Sequence, residues 1–243
     1  MIKIAVISDI HANLLALEKV MEDIRKREIS QIYCLGDLVD FAPWGNEVIS
    51  LMKNENISCI LGNHDERIAF NLPVTPLQHH DDIETESRLS AINYSKQTIT
   101  KENKNWLSKL PFHIELQYKI GKSFKKIMLV HACIDSNEEY IYESDPKGKI
   151  ISILKERSID ILVMGHTHQS YVQCHSNILL LNCGSVGRSK ESDRKAVYSI
   201  ITLSEENIDA EIIKIDYPVM EVASAIYAST IPNFYGDFLL EAK

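Results

Sequence analysis

Asp9, His11, Asp37, Asn63, His131, His166 and His168 combine imidazole nitrogens with carboxylate and amide oxygens. That donor set suits Zn, Mn, Fe or Ni, and no CxxC pair offers a thiolate site instead. One metal takes about four to six ligands, so seven candidates suit two metals that share a bridging carboxylate. Two ions ~3.5–4 Å apart can clamp a phosphoryl group and lower the pKa of a bound water for in-line attack. Two divalent ions, two aspartates and a bridging hydroxide would leave the centre at about +1. Such a pocket in an acidic protein favours a small phosphate ester over a long polyanion.

These residues share a position relative to the elements that must hold them. Short apolar runs at 2–7, 31–35, 57–61, 127–130, 159–164 and 178–181 read as strands buried on both faces, because they are continuous rather than alternating. Each leads directly into chemistry: Ser8-Asp9-Ile10-His11, Gly36-Asp37, Gly62-Asn63-His64-Asp65, His131, Gly165-His166-Thr167-His168 and Asn182-Cys183-Gly184-Ser185. The carboxyl ends of strands in open α/β sheets converge on one crevice, so these side chains are expected to meet. Asp9 taken singly would read as a helix cap; seven converging residues read as ligands.

Helices are expected over 13–27, with Asn13 as N-cap and Leu14, Leu17, Val20, Met21 and Ile24 as the apolar stripe, and over 46–54 and 145–157. This alternation implies an α/β fold with mostly parallel pairing. Residues 196–203 and 208–215 read as an antiparallel hairpin, followed by a helix over 219–229 and a tail. The segment 66–110 breaks the alternation with two helices, 84–96 and 101–110, and reads as a cap-like insertion within a single domain spanning 1–243.

The series Asp9-x-His11, Gly36-Asp37-x-x-Asp40, Gly62-Asn63-His64-Asp65, His131, Gly165-His166-x-His168 and Asn182-x-Gly184-Ser185 resembles the calcineurin-like metallophosphoesterases, block for block and in order. The resemblance implies a four-layer αββα sandwich of two mixed sheets. It implies Asp9, His11 and His168 as ligands of a first metal, Asp37 as the bridge, and Asn63, His131 and His166 as ligands of a second. His64 matches the non-ligand histidine that contacts phosphate and protonates the leaving alkoxide, and Asp40 the acid that orients it. Two divalent ions are implied as cofactors (Mn, Fe, Zn, Ni or Mg, with Mn favoured). The expected activity is hydrolysis of a small phosphodiester, phosphomonoester or nucleotide by metal-bound hydroxide. The alternatives are a serine/threonine-type protein phosphatase, and a metal-binding scaffold whose catalysis has lapsed. Retention of His64 speaks against the scaffold. Phe41-Ala42, where the protein phosphatases carry Arg-Gly, speaks against the phosphatase.

Several residues lie outside these blocks. Cys133 follows His131 closely enough to line the pocket as an oxidisable thiol, or to be buried and inert. Arg188 reads either as a contact for a distal phosphate or as a surface charge. His79-His80-Asp81-Asp82 reads as a solvated loop or a further metal site. His113 and His175 read as structural or exposed, and the aromatic residues of 227–238 as packing without chemistry.

Composition narrows the partners. The 243 residues carry 26 Lys+Arg against 34 Asp+Glu, a net charge of −8, with no basic stripe, so polymeric nucleic acid is not expected. No run approaches the ~20 apolar residues of a membrane span. The opening run is too short and too soon interrupted for a signal peptide. Five cysteines in mostly apolar settings suit a reducing, cytoplasmic compartment. No feature of the sequence specifies an oligomeric state.

Overall fold

A computed structural model describes residues 1–77, 81–205 and 207–241. Two five-stranded sheets stack face to face. The first has the order β10(Ile208–Ile215), β9(Ala196–Leu203), β1(Ile2–Ile7), β2(Gln31–Cys34), β3(Ser58–Cys59). The second runs β4(His113–Ile120), β5(Ser123–Val130), β6(Ile161–Met164), β8(Ile178–Asn182), β7(Tyr171–His175).

The continuous apolar runs are explained by alternation between two cores. In β1, Ile4 and Val6 face the other sheet, while Ala5 and Ile7 face the helices. In β5, Ile127 and Leu129 point between the sheets, and Met128 and Val130 point outward; Ile161/Val163 and Leu162/Met164 of β6 divide in the same way. The outer face of the first sheet is covered by α1(Leu14–Lys26), α2(Gly45–Asn54), α4(Asp82–Thr98), α7(Val219–Tyr227) and α8(Phe234–Leu240), and that of the second by α6(Gly148–Glu156). The result is the αββα layering that the resemblance implies.

Pairing is mixed rather than mostly parallel. β1–β2, β2–β3, β5–β6 and β6–β8 are parallel, whereas β1–β9, β9–β10, β4–β5 and β7–β8 are antiparallel. The parallel strands form the middle of each sheet or reach one side of it, and antiparallel hairpins complete the rest. β4 and β7 lie outside the expected strands because, half exposed, they lack a continuous apolar run.

α1 begins as expected, with Asn13 Oδ1 accepting the Ala16 N–H at 3.1 Å. Removing such a cap costs about 1 kcal/mol. Here it would also release the Asn13 amide from the Gly187 carbonyl, 3.0 Å away in the loop after β8. The 66–110 segment contains α4 and α5(Lys101–Leu107), after a short helix α3(Asn63–Ala69) that grows out of the Gly62-Asn63-His64-Asp65 block. The helix expected from 145 starts at Gly148, and the expected C-terminal tail contains α8.

Candidate metal centre

Because β1, β2 and β3 run parallel, as do β5, β6 and β8, the loops at their carboxyl ends emerge on one rim. Backbone hydrogen bonds stitch those loops together: Asp9 N–H to Gly36 O, His11 N–H to Asp37 O, Gly165 N–H to His131 O, and Gly187 N–H to Asp9 O, each 2.8–3.0 Å. Two glycines permit the close approach. A Cβ on Gly62 would overlap the Asp37 carboxylate, and one on Gly165 would overlap Ser8 Oγ and Asp9 Oδ2. Asp9, His11, Asp37, Asp40, His166 and His168 all take left-handed backbone angles, with φ between 49° and 73°. At about 1 kcal/mol or more each, this strain is concentrated where side chains are aimed inward.

The seven expected ligands come together as two adjoining groups. Asp9, His11 and His168 form one, and Asp37, His131 and His166 the other, all buried. Asn63 joins the second group through Oδ1, 3.1 Å from His131 Nε2. Asp37 lies between the groups, its Oδ2 3.4 Å from His131 Nε2 and 3.8 Å from His11 Nε2.

The orientation of the imidazoles tests whether a cation fits. Nδ1 of His11, His131 and His168 donates to the carbonyls of Val39, Leu35 and Arg188 at 3.1, 2.9 and 2.7 Å. A carbonyl can only accept, so each Nε2 faces the interior of the site. The His11 and His168 Nε2 atoms are then 3.0 Å apart, and in the neutral rings two lone pairs confront one another. Asp9 Oδ1, 3.1 Å from His168 Nε2, and His166 Nε2 are buried without a hydrogen-bond partner. Opposed lone pairs and unmatched acceptors are relieved by a cation, and the donor set fits divalent metals.

Charge states agree with this. Burial would raise the Asp9 and Asp37 carboxyls, but the neighbouring histidines, His168 for Asp9 and His131 for Asp37, hold both below the usual range. Burial pushes His11 and His166 down to about 3, and lowers His168 as well. Most ligand atoms are therefore deprotonated in advance. His131 differs: burial lowers it, but the Asp37 charge and hydrogen bond prevail and raise it to about 9. At pH 7 His131 Nε2 thus holds a proton that a cation must displace. Metal uptake at pH 7 should release about one proton per second-group site, and the release should vanish as pH rises through about 9. Calorimetric titration in buffers of differing ionisation enthalpy measures it; uptake without release at pH 7 would show that His131 Nε2 holds no proton there.

His64 and Asp40 stand beside the two groups. His64 Nδ1 lies 2.6 Å from Asp40 Oδ2, and the His64 N–H donates to Asp37 Oδ1 at 2.8 Å. Burial lowers His64 well below its ordinary value and raises Asp40 to about 7. His64 opens on a pocket whose walls include Phe41, Arg88, Tyr140, Arg188, Lys190 and Tyr235.

Arg188 is therefore a pocket residue rather than a surface charge. Arg88 on α4, Tyr140, Lys190 and Tyr235 on α8 carried no motif, and sequence reasoning missed them. Tyr235 packs as expected of 227–238, its ring stacked on Phe41 at 4.5 Å, and it also forms part of the pocket wall. Cys133 lines a neighbouring cavity instead of this pocket, and burial raises its thiol, which favours the inert reading. His79 and His80 lie outside the described residues, while Asp81 caps α4 by accepting the Glu84 N–H at 2.8 Å. His113 is exposed and His175 partly so, away from the pocket.

Comparison with known proteins extends these findings. The family model of the calcineurin-like phosphoesterase superfamily domain matches residues 2–206. An uncharacterized protein of Methanocaldococcus jannaschii is 30% identical over 253 residues, covering 97% of this chain and 96% of its own. The crystal structure of a metallophosphoesterase from Sphaerobacter thermophilus matches with a TM-score of 0.74 at 22% identity, over 100% of this chain and 99% of that one. A hypothetical protein from Pyrococcus horikoshii OT3 matches with a TM-score of 0.83 at 21% identity, over the same shares. The two structural likenesses concern the fold; the family match spans most of the chain. The chain belongs to the calcineurin-like phosphoesterase superfamily and is a metal-dependent phosphoester hydrolase.

Proposed function

We propose that this protein hydrolyses a small phosphate ester at a two-cation centre, with Asp9, His11 and His168 on one ion, Asn63, His131 and His166 on the other, and Asp37 between them. The observation that carries the reading is the pair of carbonyl-anchored imidazoles whose Nε2 atoms face each other at 3.0 Å beside a buried carboxylate. When bound, two divalent ions would polarise the phosphoryl group and supply an ionised water as nucleophile. The expectation among metals is Mn.

The chain's own contribution is orientation and proton supply. Ser8 Oγ and the His166 N–H donate to Asp9 Oδ2 at 2.6 and 2.9 Å, leaving Oδ1 to point inward. The His64 N–H holds Asp37 Oδ1 and leaves Oδ2 between the groups. His64, anchored at Nδ1 by Asp40, presents Nε2 to the pocket, and its Nε2–H would give its proton to the departing alkoxide oxygen. Asp40, raised to about 7, would pass a proton to Nδ1 as Nε2 gives up its own, so the ring ends neutral.

Substrate size follows from the walls. The pocket is bounded by α4, which supplies Glu84 and Arg88, and by Tyr235 of α8, so a compact ester fits better than a protein loop. We assign α4 the role of a cap that reads the substrate. Five free cysteines support a reducing, cytoplasmic setting, and among the described residues no helix is long and apolar enough to cross a membrane.

A turnover screen on Mn-loaded protein tests the reading with an aryl phosphomonoester, an aryl phosphodiester, a cyclic nucleotide and a dinucleoside tetraphosphate. At least one should be hydrolysed, and a chelator should abolish the reaction. Inertness toward all four in a protein that retains its metal would favour the lapsed scaffold.

A further inference from the structure

The pocket carries more positive charge than phosphoryl transfer from one phosphate requires. Arg88, Arg188 and Lys190 all line it, and apart from Asp37 its only carboxylate among the described lining residues is Glu84. Arg88 is buried, and its hydrogen bond goes to a neutral group, the Thr75 carbonyl at 2.8 Å. The Arg188 guanidinium is packed among aromatic rings, with Cζ 4.8 Å from the centre of Phe41, 5.4 Å from Tyr235 and 4.6 Å from Phe238. Its Nε is buried without a hydrogen-bond partner. Lys190 Nζ lies 5.7 Å from the Tyr140 ring centre.

Cations withdrawn from water are costly unless an anion meets them. Glu84 is one carboxylate facing Arg188 and Lys190, and the nearby buried acids are turned toward histidines. Asp40 has His64 at 2.6 Å, and Asp9 and Asp37 face the histidines of the two clusters. The aromatic faces do not form a slot for a planar group, since Phe41 and Tyr235 stack on each other and against Arg188. What they do is hold a guanidinium in place. Planar, bidentate guanidinium groups held rigidly are suited to phosphate.

We propose that Arg88, Arg188 and Lys190 form a subsite for a second phosphate, so that the preferred substrate is a compact molecule bearing two phosphate groups a few atoms apart. The inference rests on the phosphoesterase reading above and narrows it. One phosphate takes the two-cation centre; the other lies between the core loop after β8 and α4. α4 then selects substrate by contributing Arg88.

Non-hydrolysable ligands separate binding from turnover. On Mn-loaded protein freed of excess metal, propane-1,3-diyl bisphosphonate should bind about 10- to 100-fold more tightly than propylphosphonate in calorimetry. Arg188→Met and Lys190→Met should each reduce that ratio several-fold; the lysine variant decides if loss of Arg188 from its aromatic packing prevents folding. Equal affinities in the parent protein, with aryl phosphate turnover intact, overturn the second-phosphate site and leave the esterase reading standing. A high ratio unchanged in the variants overturns the assignment to these residues. Failure of both phosphonates to bind, together with no turnover of any ester, overturns both readings.

Discussion

Asp37→Asn should yield a folded protein that retains less metal than the parent and loses about 10²–10³-fold or more in turnover. The carboxylate lies between the two clusters, with Oδ2 within 3.8 Å of histidines from both. An amide at that position has one oxygen fewer and no charge. Oδ1 is already engaged by the His64 N–H at 2.8 Å, so the remaining oxygen of asparagine would stay with the backbone and the amino group would face the cations. The backbone should tolerate the exchange, because φ at residue 37 is 54° and asparagine adopts that region as readily as aspartate. Elemental analysis, a melting curve and the turnover screen are the three measurements. Unchanged metal content and parental activity would contradict a bridging role.

The visibility of that carboxylate in the sequence has a physical cause. Parallel strands buried on both faces appear as continuous apolar runs, and the loops at their carboxyl ends are where backbone constraint and polar side chains meet. Asp9, Asp37, Asn63, His131, His166 and His168 could therefore be read from position alone, before any contact was known. The layering became legible only through the family resemblance, because the outward and inward residues of β1 or β5 are all apolar and do not reveal that two different cores receive them.

Strands β4 and β7 were hidden for the opposite reason. β4 alternates along its length, with Ile114, Leu116 and Tyr118 turned toward the core between the sheets, so the period-two signal was present but no continuous run marked it. The pocket walls were less legible still. Arg88 lies within a helix, Tyr140 in a long connection, and Tyr235 in a short helix after Pro232. Nothing in local spacing distinguishes such residues from solvated charges or ordinary packing. Their role follows from tertiary placement, as with Arg188, where the guanidinium is buried by rings from residue 41 and from α8.

His64→Ala should keep its metal and lose ~10²-fold or more in rate, with the loss depending on the leaving group. His64 hydrogen-bonds to the clusters through its backbone N–H, to Asp37 Oδ1, while its ring packs edge-on against His11 at 5.1 Å between centres and its Nδ1 is occupied by Asp40. Alanine retains that N–H, so the ligand geometry should survive. The side chain's proposed work is to protonate an alkoxide, a step that matters most when the departing oxygen is strongly basic. An alkyl phosphate should therefore suffer the full loss, and a nitrophenyl ester a much smaller one. Asp40→Asn should move in the same direction to a lesser extent, since an amide still holds Nδ1 by a hydrogen bond but has no proton to pass to it. A pH profile separates this from a packing defect: loss of the proton donor should flatten the high-pH limb for alkyl esters, whereas general disorder would scale the whole curve. Equal losses for alkyl and nitrophenyl esters, or loss of bound metal in step with rate, would show that His64 is a ligand or a structural support rather than the acid.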